Sequence, residues 1–256
     1  MQQIELELAG GGVLTVSLRA SLDAMPAVKE RPLVLVVPGG GYNHVSPREA
    51  TRGLQFAAAG YHTAVLTYSV GEGAQDYRPL RQLNEALALL RQNAEEWHIL
   101  PDKIAVCGFS AGGHLALSGA VLDIPGETAQ QRPNAVILGY PVVTAGEFAH
   151  RGSFVRLAGS EDAAAQQAFT LEDKVTSDTP PVFVWHTMED KTVPVENTLL
   201  LLAPCGGRAC RARHICSRRA LTAPASVPPK WMPPTLTAPI GWLSASSGWG
   251  RRLGSN

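Results

Sequence analysis

Apolar positions recur along this chain with two periods, and the two alternate. Residues 4–8 and 13–18 switch between apolar and polar at every step around Gly10-Gly11-Gly12, which predicts an antiparallel hairpin. Residues 33–37, Leu-Val-Leu-Val-Val, are apolar throughout, as a strand buried on both faces must be. Ser46, Pro47 and Glu49 then read as cap, first turn and capping-box acid of a helix over 46–59, stopped by Gly60. A strand is expected over 61–68. A long amphipathic helix over 79–97 turns Leu80, Leu83, Leu87, Leu89 and Leu90 inward. Strands follow at 103–107, 134–140 and 180–186, with a small-residue helix over 113–120. The mixed, polar segment 144–180 reads as a small cap over the site. Strands that alternate with helices predict an α/β chain built on a mostly parallel sheet wrapped on both faces.

One stretch organises the others. After the strand at 103–107 the chain passes through Gly108-Phe109-Ser110-Ala111-Gly112 and continues into helix-forming residues. Strand, Gly-x-Ser-x-Gly and helix together form the setting of a nucleophile elbow. A serine on so sharp a turn needs small neighbours two positions away, and Gly108 and Gly112 meet that need. The Ala111 amide then opens a helix N-terminus, where developing negative charge is favoured. The glycines 39–41, at the end of an earlier buried strand, let backbone amides approach a ligand with no side chain between. They read as an oxyanion loop.

Composition narrows the field. The 256 residues suffice for one α/β domain, 45% are hydrophobic, and the formal net charge is zero. No global field points to nucleic acid or membrane. The polar, alternating start lacks the pattern of a secretory signal, and four cysteines without one point to reduced thiols and a cytoplasmic protein. No cofactor or metal is expected. The zero charge hides a break: residues 203–256 hold eight Lys or Arg and no Asp or Glu, which leaves 14 basic against 22 acidic residues elsewhere.

The loop after the strand at 180–186 carries His186, Glu189, Asp190 and Pro194. Carboxylates at strand ends of parallel sheets stand where sites form. Pro-Gly-Gly-Gly-Tyr, Gly-Phe-Ser-Ala-Gly-Gly-His-Leu and His-x-x-x-Asp-x-x-Val-Pro, in that order, resemble the bacterial α/β-hydrolase esterases of the acetyl esterase or acetylxylan esterase kind. The resemblance spans about residues 30–202. It implies an α/β-hydrolase fold, a serine carboxylesterase acting on short acyl esters of small molecules or carbohydrates, and Ser110 as nucleophile. It further implies an oxyanion hole from the amides of Gly39, Gly40 and Ala111, and Asp190 rather than Glu189 as the triad acid. His114 and His186 occupy family positions and read as structural. A peptidase of the prolyl-oligopeptidase type shares these motifs, but usually carries a further domain.

The resemblance also implies a triad histidine some 25–35 residues after Asp190, and only His214 lies downstream. The chain therefore divides into an incomplete α/β-hydrolase domain, 1–202, and an aberrant basic, proline-rich tail, 203–256. The expectation is that the tail lacks the closing strand and helix of the fold. Back-translation supports a shifted frame: Arg219 to Ala223 can be encoded so that reading from the third base of the Arg219 codon gives Gly-Ala-His-Gly. A catalytically impaired or purely binding relative is the alternative reading. A basic arm that binds acidic surfaces is a third. Cys205, Cys210, His214 and Cys216 match no common zinc spacing.

Overall fold

The computed structural model describes residues 1–20, 29–128, 130–206 and 212–217. Among the described residues eight strands form one sheet: β1 (Gln2–Leu8), β2 (Gly12–Leu18), β3 (Arg31–Val37), β4 (His62–Thr67), β5 (Ile99–Phe109), β6 (Ala135–Gly139), β7 (Val182–Thr187) and β8 (Ala212–Ser217). Their order is β1-β2-β4-β3-β5-β6-β7-β8. The pairs β1–β2 and β2–β4 are antiparallel, and every pair from β4–β3 to β7–β8 is parallel. This is the mostly parallel sheet that the alternation of patterns predicts.

The unbroken apolar runs have a direct cause. In β3, Leu33, Leu35 and Val37 join one core while Val34 and Val36 join the other. In β5, Ile104 and Val106 take the first side and Ala105 and Cys107 the second. Successive side chains leave a strand on opposite faces, and here both faces are covered. Helices α3 (Arg78–Gln92) and α4 (Ala111–Val121) pack together, and α2 (Gly53–Ala58) packs on β3 and β4.

Several boundaries differ from expectation. The helix expected over 46–59 is two pieces, α1 (Pro47–Ala50) and α2. Bonds to the third residue back, Arg52 N–H to Glu49 O and Leu54 N–H to Thr51 O, tighten the chain between them. The helix expected over 79–97 ends at Gln92, where the Asn93 side chain donates to Leu89 O and the chain turns to bury Ala94 and Trp97. Segment 144–180 holds α5 (Arg151–Ala158) and α6 (Ala163–Gln167). It is more than a cap, because Phe154, Leu157, Phe169 and Leu171 enter the main core. Helix α7 (Glu196–Gly206) follows β7.

The expectation of no closing strand is corrected. Residues 212–217 form β8 and pair in parallel with β7, Val184 opposite His214 and Thr187 opposite Ser217. A short run of residues beside an open parallel edge can satisfy backbone groups whatever its charge, because the ladder is made by the main chain. The expected absence of a final helix, and the rest of the proline-rich tail, lie outside the described residues. Among the described residues no helix is long and apolar enough to cross a membrane.

Candidate active site

The site is built at the carboxyl ends of β3, β5, β6 and β7. Ser110 joins β5 to α4 at φ 53°, ψ −123°, a conformation that strains any residue with a β-carbon. Its surroundings hold it there. Ser110 N–H donates to Gly139 O at 3.0 Å, and Ser110 O accepts from His114 N–H and Val142 N–H, both at 3.1 Å. The flanking glycines are demanded by close approach. A β-carbon on Gly108 would meet Gly112 O at 2.2 Å, and one on Gly112 would meet Val37 O at 2.2 Å. The small residues expected at the elbow are therefore forced by backbone packed on backbone.

The glycine loop after β3 touches this turn. A β-carbon on Gly39 would lie 2.6 Å from Phe109 O and 3.0 Å from Ser110 Cβ. Gly39 O accepts from Ser46 N–H at 2.9 Å, and Gly40 O accepts from Asn43 N–H at 3.0 Å. A trans peptide points its N–H opposite its carbonyl, so Gly40 N–H faces away from Ser46. Among the described residues, the amides of Gly40 and Ala111 have no acceptor. Gly39 differs from expectation: its N–H donates to Glu49 Oε2 at 2.5 Å and is engaged. Glu49, expected as a capping-box acid, gives its other oxygen to the Tyr140 hydroxyl at 2.8 Å. Ser46 caps α1 by position, with no side-chain hydrogen bond.

In the loop after β7 the two carboxylates part. Glu189 is exposed. Asp190 is half-buried, and its Oδ1 accepts from Thr192 N–H at 2.9 Å and Val193 N–H at 3.0 Å. Asn197, fully buried, ties this end of the sheet together. Its oxygen accepts from Val143 N–H and Thr144 N–H, and its nitrogen donates to Phe148 O and Pro194 O. It joins the loops after β6 and β7, and the sequence reading passed over it because a lone Asn at the start of a helix carries no motif.

His114 and His186 are structural. His114 Nε2 lies 2.8 Å from Phe169 O, a pure acceptor, so Nε2 carries the proton and Nδ1 accepts from Tyr42 Oη at 2.9 Å. Burial pulls its pKa from 6.5 to about 4 against the pull of that carbonyl. His186 donates from Nε2 to Val193 O at 2.9 Å and accepts on Nδ1 from Thr198 Oγ1 at 2.7 Å. Its Nε2 stands 3.9 Å from Asp190 Oδ2. Burial lowers its pKa, against smaller upward pulls from Val193 O, Asp190 and Glu196. That contact is therefore between a neutral ring and a carboxylate.

No histidine ring among the described residues hydrogen-bonds the Ser110 hydroxyl. His214 sits mid-strand in β8, exposed, three strands from β5. At about 4.8 Å per strand this is about 14 Å of sheet, so His214 does not complete a triad here.

The BD-FAE family model matches residues 23–137, which hold the glycine loop and the elbow. The chain is 35% identical over 188 residues to endo-1,4-beta-xylanase B of Butyrivibrio fibrisolvens, covering 67% of this chain and 29% of that protein. It is 30% identical over 171 residues to the acetylxylan esterase of Xylanibacter ruminicola, covering 63% and 34% respectively. The chain thus spans about a third of the length of these curated relatives. Among solved structures it is similar to an acetyl ester-xyloside bifunctional hydrolase from Caldicellulosiruptor lactoaceticus. The TM-score is 0.72 at 32% identity, covering 82% of this chain and 78% of that one.

Proposed function

The chain belongs to the α/β-hydrolase esterases of the BD-FAE kind, and from that premise we propose that it is a serine esterase for short acyl groups, acetyl above all, carried on carbohydrates. The observation that carries the reading is the strained turn at Ser110 packed against the glycine loop, with the amides of Gly40 and Ala111 unengaged among the described residues. Ser110 Oγ attacks the ester carbonyl carbon. The carbonyl oxygen takes the negative charge and is met by those amides and the N-terminus of α4. The alcohol leaves with the proton that the Ser110 hydroxyl gives up, and water then releases the acyl group as the acid and returns a proton to Ser110. Asp190, held by two backbone amides, is the acid that would orient a histidine. The sugar ester is suggested by the acetylxylan esterase and acetyl ester-xyloside hydrolase relatives.

On this reading Ser110 lacks a general base, because no histidine ring among the described residues is bonded to its hydroxyl and His214 is exposed in β8. An unassisted serine hydroxyl is a weak nucleophile at neutral pH. Turnover should then rest on the oxyanion hole and binding, roughly 10³–10⁴ over water. We attribute this to a shifted reading frame from about residue 203. The test compares the chain as it stands with one carrying a single-base shift near codon 203. The frame-restored chain should hydrolyse p-nitrophenyl acetate several orders of magnitude faster. A fluorophosphonate probe should label it at Ser110, with labelling abolished in Ser110→Ala. Equal rates in the two chains, lost on His214→Ala, would show the tail to be genuine. Absence of any labelling would favour the binding-only relative.

A further inference from the structure

A carboxylate stands against the oxyanion loop with no part in the acyl-transfer steps. Glu49 Oε2 lies 2.9 Å, and Ser110 Cβ 3.0 Å, from the point where a β-carbon on Gly39 would sit. Those two arms bound their separation at 5.9 Å. A charge so close to a developing oxyanion would oppose catalysis if it were free to turn toward it. It is not free: Oε2 accepts from Gly39 N–H at 2.5 Å and Oε1 from Tyr140 Oη at 2.8 Å.

Tyr140 is itself held in an uncommon state. It has φ 38° directly after β6, and its N–H donates to Trp185 O at 2.7 Å. Its ring packs edge-on to Trp185 and tilted against Phe109. Gly139, just before it, and Val142, two residues after it, hold the Ser110 backbone. A strained, over-determined backbone beside a reacting group points to function. On the far side of the loop, Tyr68 Oη donates to Pro38 O at 2.7 Å.

We infer that Glu49 and Tyr140 are positioning residues for the oxyanion hole: the Glu49 carboxylate bridges Gly39 N–H and Tyr140 Oη, and so locks the loop after β3 to the loop that holds Ser110. With Gly39 N–H turned onto Glu49 and Gly39 O held by Ser46 N–H, Gly40 N–H points away from Ser46 and stays without an acceptor among the described residues. The division of labour is one amide for the clamp and the next for the oxyanion. This rests on the esterase reading above.

The test needs no triad base, because residual acceleration in a chain without one comes from the oxyanion hole and binding. Hydrolysis of p-nitrophenyl acetate by the full chain is compared with Glu49→Ala, Glu49→Gln and Tyr140→Phe, each checked for an unchanged melting transition. Losing one oxyanion donor outright costs about 10²–10³ in kcat, so a misaligned one should cost about 10–100-fold in Glu49→Ala and about 3–10-fold in Tyr140→Phe. KM should stay within about 2-fold, since the oxyanion exists only in the transition state. Gln keeps an oxygen for Gly39 N–H and should recover most of the loss. Inhibition by phenylboronic acid, a tetrahedral mimic, should weaken in step with kcat. Should Glu49→Ala fail to fold, Tyr140→Phe carries the same test. Unchanged kcat in the folded variants, or a loss confined to KM, overturns the inference and leaves the esterase reading standing. Turnover no faster than that of the heat-unfolded chain overturns both.

Discussion

Two adjacent carboxylates in one turn show what single residues contribute. Glu189 is exposed, whereas Asp190 is fixed by the amides of Thr192 and Val193. A triad acid must hold one orientation while a histidine gains charge, and only Asp190 is held. In the frame-restored chain Asp190→Asn should lower kcat by roughly 10³–10⁴, because the histidine takes the wrong tautomer. Glu189→Gln should change it by less than about 3-fold, as exposed charges act weakly through water. A reversed order of the two in steady-state kinetics would show that the other carboxylate is the acid. Gly39 and Glu49 give the complementary case. The sequence marks both, one as an oxyanion donor and one as a capping acid. In the fold they satisfy each other, a pairing ten residues apart that no local pattern encodes.

At the level of elements, β5, the elbow and α4 form one unit whose glycines are packing residues. A β-carbon on Gly112 would meet Val37 O at 2.2 Å and Pro38 O at 2.3 Å, both backbone atoms of the neighbouring strand and loop. Backbone cannot yield as a side chain does. Gly112→Ala should therefore cost about 3 kcal/mol or more, at the upper end of overpacking penalties, and disturb the oxyanion loop as well. Gly53, inside α2, is the control. Its β-carbon would meet only Thr63 and Val36 side-chain atoms, at 3.7 Å and beyond. Gly53→Ala should be neutral or stabilising by up to about 1 kcal/mol, since alanine favours the helix. Urea denaturation midpoints check both, and equal midpoints for the two variants would refute the argument from backbone contact.

For the whole molecule, buried neutral histidines tie stability to pH. His114 links α4 to Tyr42 and to Phe169 and is buried in the core. Its pKa falls from 6.5 to about 4 on folding, chiefly through burial. His62, buried and bonded to Arg19 N–H and His98 O, falls to about 4 as well, through burial first. Between these values the unfolded chain binds more protons than the folded one. Stability therefore rises with pH across this window, and acid removes it. His114 alone should account for about 3 kcal/mol between pH 7 and pH 4. Urea midpoints should fall steeply from pH 7 to pH 5, and His114→Gln should flatten that slope while lowering stability at pH 7. An unchanged slope in the variant would exclude His114 as the cause.

The family resemblance supplied the preference for Asp190 over Glu189, and the sequence by itself determined the α/β class, the mostly parallel sheet and the strand–turn–helix setting of Ser110. Each rests on local causes: period two or a solid apolar run for strands, period 3.6 for helices, and small residues where backbones meet. Helix 46–59 was misjudged at its centre because tightening to third-neighbour bonds depends on what α1 and α2 pack against. The strand at 212–217 was missed because its residues carry no strand pattern of their own, and β7 offers an open edge that any main chain can pair with. The engagement of Gly39 by Glu49, the staple made by Asn197, the tautomers of His114 and His186, and the distance of His214 from Ser110 belong to the tertiary structure alone. Each joins residues from different strand ends, and only the closing of the sheet brings those ends together.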